Sequence, residues 1–186
     1  DLFESPAPND YPKIFVLPVR MEWGRWSVVA VFNLSDKPLQ KKLTAAQLRM
    51  PEGRACWLYE FWEERYWGEF TDSFVADVPP GSCRVYRVEP ARRHPWLLST
   101  DMHIRQGIEI PALHWDARRL ALSGTVARPR GERGNLIFIV PPGLRLKYPE
   151  GYWIAKDGRD KNLIVRKEIS FKRSRMSFTV DFEAYK

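Results

Sequence analysis

Apolar and polar residues alternate with a period of two through much of the chain, a pattern that is typical of β-strands. The clearest example runs from Met176 to Glu183, where every second residue is apolar. Successive side chains of a strand point to opposite faces, so this segment should bury one face and expose the other. No helical period is sustained, and Thr44 to Leu48 is expected to form a single helical turn capped by Thr44. The pattern predicts an all-β, antiparallel fold.

The segment from Trp26 to Leu34 is apolar at nearly every position, which predicts a central strand covered on both faces. Turn residues separate the predicted strands, and Asp157-Gly158 is expected to form a hairpin tip. The spacing is typical of an antiparallel Greek-key β-sandwich followed by a second, smaller β-sandwich-like domain. The other expected strands are Ile14–Val19, Leu39–Leu43, Ala55–Trp62, Tyr66–Phe70, Phe74–Val78, Ser82–Val88, Gln106–Leu113, Arg118–Val126 and Leu136–Val140.

Composition divides the chain into three parts. Residues 1–12 carry three prolines and no periodicity, so they are expected to form a connector from a missing upstream domain. Residues 13–90 are predicted to form the β-sandwich domain and residues 91–186 the second β-sandwich-like domain. Residues 1–90 hold 11 Lys/Arg and 13 Asp/Glu, whereas residues 91–186 hold 19 and 10. The basic second part indicates either a solvated surface or a surface that binds a polyanion.

Membrane and secretion signals are not visible in the sequence. No apolar run approaches the roughly 18 residues of a membrane span, so no membrane partner is expected. No signal peptide is seen and Asp1 is not an initiator Met, so we expect a piece of a longer protein and favour a cytoplasmic location over a secreted one. Cys56 and Cys83 lie in apolar strand segments and are expected to be buried free thiols, with a disulfide between them as the alternative.

The chain is organised around Tyr59 to Gly68, which holds five aromatic residues within nine positions. Each buried aromatic side chain removes about 150–250 Å² from solvent, so filling of a core is the first expectation. The second is carbohydrate binding by Trp62, Tyr66 and Trp67, because aromatic faces can stack on the C–H faces of sugar rings.

Carboxylates crowd the same region. A glycosidase needs two carboxyl groups held about 5–9.5 Å apart across a sugar, and a pair of that kind is one interpretation of the cluster. The simpler expectation is that Glu63 and Glu64 lie in a solvated turn and pair with Arg65, so we assign no catalytic residue. The cluster consists of Glu60, Glu63, Glu64, Glu69 and Asp72.

Histidine spacing and the distribution of aromatic residues bear on two further kinds of site. His94, His103 and His114 lie farther apart than the paired ligands of a typical zinc site, so structural or surface roles, no metal and no other cofactor are expected. Single-stranded nucleic acid is bound where aromatic residues are interleaved with Lys/Arg. Here the aromatics concentrate in the slightly acidic part and the excess basic charge in the other, so nucleic acid is not an expected partner.

Four sequence phrases follow one another between residues 26 and 107. They are VFNLSDKP (31–38), YEFWEERYWG (59–68), VPPGSCRV (78–85) and LLSTDMHIRQG (97–107). In this order and spacing they resemble the C-terminal β-sandwich of α-galactosidase-like (melibiase-type) glycoside hydrolases. Residues 108–186 carry no matching phrase.

The resemblance implies a role without catalysis. In that family a (β/α)₈ barrel carries the two catalytic carboxylates and the sandwich packs behind it. The chain would then be the C-terminal accessory domain of a bacterial glycoside hydrolase of carbohydrate metabolism, inactive alone, with the missing N-terminal barrel of the same protein as its partner. Two alternatives stay open: an autonomous carbohydrate-binding module that uses Trp62, Tyr66 or Trp67, and a polyanion-binding surface in residues 91–186.

Overall fold

The computed structural model describes residues 13–156 and 160–185, and its regular elements are all antiparallel β-strands. The expected all-β class is therefore confirmed. The strands of the first part are β1 (Ile14–Met21), β2 (Gly24–Asn33), β3 (Leu39–Thr44), β4 (Cys56–Glu60), β5 (Arg65–Phe70), β6 (Ser73–Val78) and β7 (Ser82–Pro90). Those of the second part are β8 (Trp96–Thr100), β9 (Ala112–Asp116), β10 (Ala121–Ala127), β11 (Arg133–Val140), β12 (Leu144–Leu146), β13 (Trp153–Lys156), β14 (Leu163–Ser170) and β15 (Arg175–Ala184).

The first part contains a five-stranded sheet of order β1-β2-β7-β4-β5 and a two-stranded sheet of β3 and β6. As predicted, β2 is a central strand, paired with β1 on one side and β7 on the other. Side chains from both sheets meet in a buried cluster, called here the first core. Its members are Val29, Val31, Leu43, Ala45, Leu48, Met50, Cys56, Leu58, Phe70, Ala76, Val78, Tyr86 and Val88.

The second part contains two four-stranded sheets, of order β12-β15-β10-β9 and β13-β14-β11-β8. They enclose a larger buried cluster, called here the second core. The alternation expected in the last strand is confirmed, because Phe178, Val180 and Phe182 of β15 are buried in this cluster. Two further contributors, Leu97 and Leu98 of β8, belong to a strand that the period of two did not predict.

The two cores meet on either side of β4. Cys56 and Leu58 point into the first core, while Trp57 and Tyr59 point into the second. The chain changes from the first pair of sheets to the second after β7, which ends at Pro90. The division into domains of residues 13–90 and 91–186 stays a prediction.

One predicted strand is wrong. The segment from Gln106 to Ile110 forms turns, and β9 begins only at Ala112. Gln106 and Gly107 adopt φ angles of 56° and 129°, which interrupt an extended strand. A Cβ at Gly107 would lie 2.8 Å from Nη1 of Arg87, so the chain passes here against a buried arginine that the apolar pattern did not reveal.

Other expectations about local structure have different outcomes. Residues 44–48 form the single expected turn, in which the Leu48 amide donates to the Thr44 carbonyl (3.2 Å). The connector at residues 1–12 and the hairpin tip at Asp157-Gly158 lie outside the described residues. Within residues 13–156 and 160–185, no helix is long and apolar enough to cross a membrane.

Candidate functional site

The aromatic stretch forms β4, the turn from Phe61 to Glu64, and β5. The Phe61 amide donates to the Val85 carbonyl (2.8 Å), and the Glu64 amide donates to the Phe61 carbonyl (3.3 Å). Glu64 itself has a φ of 51°, which closes the turn. The Phe61–Val85 bond holds the turn against β7, and the Glu64–Phe61 bond lies within the turn.

Trp67 interrupts the pairing of the two strands. Leu58 pairs with Gly68 and Tyr59 pairs with Tyr66, so Trp67 is the extra residue of a β-bulge. Gly68 has a φ of 100°, a conformation that glycine adopts without steric cost. The bulge lets Tyr66 enter the second core while Trp67 packs against the first.

The three predicted carbohydrate-binding residues occupy three different environments. Trp62 is 58% exposed, with its ring edge-to-face against Phe61. Tyr66 is only 4% exposed and lies in the second core. Trp67 is half-buried, meets the Tyr86 ring edge-on, and lies beneath the Arg84 guanidinium (5.8 Å to the ring centroid). The three rings therefore do not share one open face, and carbohydrate binding by them stays a prediction.

Glu60 is fully buried, and backbone amides satisfy its carboxylate. The Val85 amide donates to Oε1 (3.0 Å), and the Glu63 amide donates to Oε2 (2.5 Å). Hydrogen bonds from two N–H groups stabilise a carboxylate in such a position. Glu60 thereby fixes the turn to β7.

The ion pairs of Glu63 and Glu64 differ from the expected ones. Glu63 pairs with Arg84 of β7, and Glu64 pairs with Arg166 of β14. Arg166 also donates from Nη2 to the Glu64 carbonyl (2.5 Å). Neither carboxylate has an ion pair with Arg65, so the expectation of a local pair is wrong. Instead, Glu64 ties the turn to a strand that lies about a hundred residues later in the sequence.

Hydrogen bonds at the polar ends of aromatic side chains connect the β4–β5 hairpin to residues 160–162, just before β14. This contact is called here the joint. The Tyr66 hydroxyl donates to Asp160 and accepts from Nδ2 of Asn162 (3.2 Å). Nε1 of Trp57 donates to Oε1 of Glu69 (3.0 Å), which also accepts from Asn162 (3.3 Å). Burial raises the pKa of Tyr66 well above its usual value, and the hydrogen bond to Asp160 raises it further.

These contacts define what the acids and rings of the stretch do. A general acid or nucleophile needs a carboxyl group aimed at a bound substrate. Here four carboxylates already interact with donors of the protein itself. Two backbone amides donate to Glu60, and Glu63 and Glu64 each pair with an arginine. Glu69 accepts hydrogen bonds from Trp57 and Asn162. The arrangement joins two sandwiches through an aromatic layer with polar tips.

The histidines lie apart from one another. The His94 ring stacks on Trp115 (5.2 Å between centroids, 6° between planes), and burial lowers its pKa. Nδ1 of His103 accepts from the Arg105 amide (3.0 Å), and His114 is exposed on β9. In the described part of the chain, no three His, Cys, Asp or Glu side chains are placed to hold a metal ion.

A buried polar network at the boundary between the two parts was missed at the sequence level. Arg87 of β7 is fully buried, pairs with Glu89 (2.9 Å), and lies over the Trp26 ring (4.2 Å). It also donates to the carbonyls of Gln106 and Leu97, and the Leu97 distance is 3.3 Å. The available signal was a pair of opposite charges two residues apart on one strand, which places them on the same face.

Cys56 and Cys83 are both free thiols. Cys56 lies in the first core, and burial raises the pKa of its thiol to about 11. Cys83 lies half-buried on the opposite face of the five-stranded sheet, beside Val85.

Comparison with known proteins gives a partial likeness to a solved structure. No protein-family model matches the sequence, and no curated protein sequence matches it. Among solved structures, the chain is similar to α-galactosidase I from Mortierella vinacea, with a TM-score of 0.37 and 15% sequence identity. The match covers 44% of this chain and 22% of the length of that enzyme.

Proposed function

We propose that this chain is a structural, non-catalytic β region of a glycoside hydrolase, and that it supports a catalytic (β/α)₈ barrel elsewhere in the same protein. Its own contribution is rigidity. Two sandwiches are held together by the joint, so they can present one continuous surface to a neighbouring domain.

One observation supports this role above the others. In the aromatic and acidic stretch of residues 57–69, most rings and carboxylates make contacts within the protein, and Trp62 is the exposed exception. Trp57, Tyr59 and Tyr66 fill the second core, and Glu64 reaches Arg166 across the boundary. Burial of these rings, with hydrogen bonds at the polar ends of Trp57 and Tyr66, is what a scaffold requires.

The glycoside hydrolase part of the proposal comes from the four phrases within residues 26–107 and their resemblance to the α-galactosidase type. It makes a prediction about the gene. The reading frame upstream of Asp1 is expected to encode a (β/α)₈ barrel, and an upstream frame that encodes an unrelated domain would contradict the proposal.

Absence of turnover by this chain is the biochemical test. The chain is incubated at high concentration with p-nitrophenyl α-galactoside, and no release of nitrophenol above the blank is expected. Release that disappears in the Glu63→Gln variant would overturn the non-catalytic role. Glu63 suits this test because its carboxylate is partly exposed and its loss leaves the core intact.

Carbohydrate binding is the second candidate, favoured by the exposed ring of Trp62. Affinity electrophoresis in a galactomannan gel tests it, with retarded migration expected if the ring stacks on sugars. Trp62→Ala should then abolish the retardation, while Trp153→Ala, which removes an equally exposed ring (58%), should leave it unchanged. Unretarded migration of the unaltered chain would remove this candidate.

A further inference from the structure

A cleft of about 520 Å³ opens at the end of the β1–β2 hairpin. It is lined by residues 20–25 of the hairpin, by Arg54 before β4, and by residues 90–92 at the end of β7. Three segments that are distant in sequence therefore meet here, outside the joint. This is called the arginine cleft below.

The lining of the arginine cleft is strongly basic. It contains four arginines, Arg20, Arg25, Arg54 and Arg92, against a single carboxylate, Glu22. The first three are exposed, and none of them has an ion pair with a described residue. Their guanidinium groups are therefore available to a ligand.

Two of these arginines face each other. Arg20 and Arg25 are direct partners in the antiparallel pairing of β1 and β2, so their side chains leave the same face of the sheet. Like charges directly opposite each other in a sheet are destabilising. An anion bound between the two guanidinium groups would remove that repulsion, so the Arg20–Arg25 pair is suited to bind an anion.

Arg92 is held in place from two sides. Its Nη1 donates to the buried Glu89 carboxylate (2.7 Å), and its guanidinium lies over the Trp96 ring (4.3 Å). Its Nη2 lies 3.5 Å from the position that a Cβ would take at Gly24, next to Arg25. Arg92 therefore brings a fixed guanidinium to the cleft, beside Gly24 at the end of the hairpin.

We propose that the arginine cleft binds a phosphate dianion carried by a small polar molecule of the size of a sugar phosphate. The planar guanidinium fork matches phosphate oxygens in pairs, and several arginines around one anion are the usual way to neutralise two charges. A cleft of about 520 Å³ has room for more than the phosphate itself. Trp23 also lines the cleft, and its position there is fixed because its ring stacks on Trp26 (5.1 Å between centroids).

This inference does not depend on the proposed scaffold function, and it differs from binding of a polyanion by residues 91–186. The hairpin arginines and Arg54 belong to the part of the chain that is acidic overall. Binding in the cleft comes from local geometry, so it should respond to particular arginines rather than to net charge.

Isothermal titration of the full chain at about 0.15 M salt tests the proposal, with glucose 6-phosphate, inorganic phosphate and glucose as probes. Glucose 6-phosphate should bind more tightly than phosphate, and glucose should not bind. In the Arg20→Gln/Arg25→Gln variant the dissociation constant for glucose 6-phosphate should rise about tenfold or more, because two charge-assisted contacts are lost. The matched control is Arg130→Gln/Arg133→Gln, which removes two exposed arginines of the second part and should leave the constant within about twofold.

The outcomes divide cleanly. No binding of either phosphate probe up to about 10 mM, or equal weakening in the two double variants, overturns the cleft as a site. If phosphate binds as tightly as glucose 6-phosphate, the proposal that the ligand has the size of a sugar phosphate is overturned. A second readout guards against misfolding: without ligand, Arg20→Gln/Arg25→Gln should unfold at the same temperature as the unaltered chain or higher, because a repulsion is removed.

Discussion

The two faces of the β4–β5 hairpin are buried in different ways. Toward the first core the hairpin presents Cys56, Leu58 and Phe70. Toward the second core it presents Trp57, Tyr59 and Tyr66, of which Trp57 and Tyr66 end in hydrogen bonds to Glu69, Asp160 or Asn162. The first face packs by shape alone, whereas the second combines large rings with directional bonds.

The difference shows how one hairpin serves two cores. Within a single sandwich, two sheets already lie parallel and aliphatic side chains suffice to fill the gap. Between the two sandwiches, directional bonds from aromatic tips help to set the distance and angle, together with the buried Arg87 network at the boundary. The joint is therefore where substitutions should distinguish packing from orientation.

Replacing Trp57 should have the largest effect. Trp57→Ala removes a fully buried ring from the second core and leaves a cavity, so unfolding should become easier by about 3–5 kcal/mol. Urea denaturation followed by circular dichroism measures the change. Trp62→Ala, in the same hairpin but with an exposed ring, is the matched control and should cost under about 1 kcal/mol. Equal losses in the two variants would mean that Trp57 does not hold the joint.

Removing single hydroxyl groups sharpens the contrast within the second core. Tyr66→Phe deletes the partner of Asp160 and Asn162 and should cost about 1–3 kcal/mol, because the buried Asn162 and the half-buried Asp160 each lose a bond. The Tyr59 hydroxyl is buried without a hydrogen-bond partner among the described residues. Tyr59→Phe should therefore be neutral or stabilising. A greater loss in Tyr59→Phe than in Tyr66→Phe, by thermal or urea unfolding, would contradict this account of the joint.

Much of the fold followed from the sequence, and the reason is local. A period of two identifies strands such as β2 and β15 because burial of alternate positions needs no knowledge of the partner strand. Tyr59 and its neighbours were expected in a core for a similar reason, since so much ring area is costly to expose. These inferences depend on residue type and spacing alone.

The parts that sequence reasoning missed all involve distant residues. Glu64 was expected to pair with Arg65, yet its partner is Arg166, because side chains adjacent in sequence leave the backbone in different directions. The expected strand from Gln106 to Leu113 failed because Gln106 and Gly107 adopt positive φ angles, at a point where the chain passes against the buried Arg87. The arginine cleft likewise requires three segments to meet, which no spacing along the chain indicates.

Lowering the pH should destabilise the second core before the first. All three histidines lie in the second part, and His94 is stacked beside that core with its pKa lowered below 6.5 by burial. Between the folded pKa and about 6.5 the unfolded chain binds more protons, so stability should fall as pH drops below about 6.5 and stay level above it. Urea midpoints from pH 5 to 7.5 measure this, and His94→Phe should flatten the profile. An unchanged slope in that variant would assign the pH dependence to other groups.

The two thiols should differ in how quickly they react, which is the smallest of the expected effects. Cys83 is half-buried, whereas Cys56 lies in the first core with a pKa of about 11, so little thiolate forms there at pH 8. Titration of the native chain with a disulfide reagent should modify one cysteine quickly and the second only on unfolding. Fast modification of both thiols would show that the first core opens readily.

The unfolding transition of the whole chain tests the joint most directly. Tryptophan fluorescence reports on buried rings such as Trp57, and far-ultraviolet circular dichroism reports on all strands. Because the two cores share the β4–β5 hairpin, both signals should change in one coincident step in urea. Two separate steps, with the strands of one part lost before the other, would contradict the claim that the aromatic stretch binds the two sandwiches into one unit.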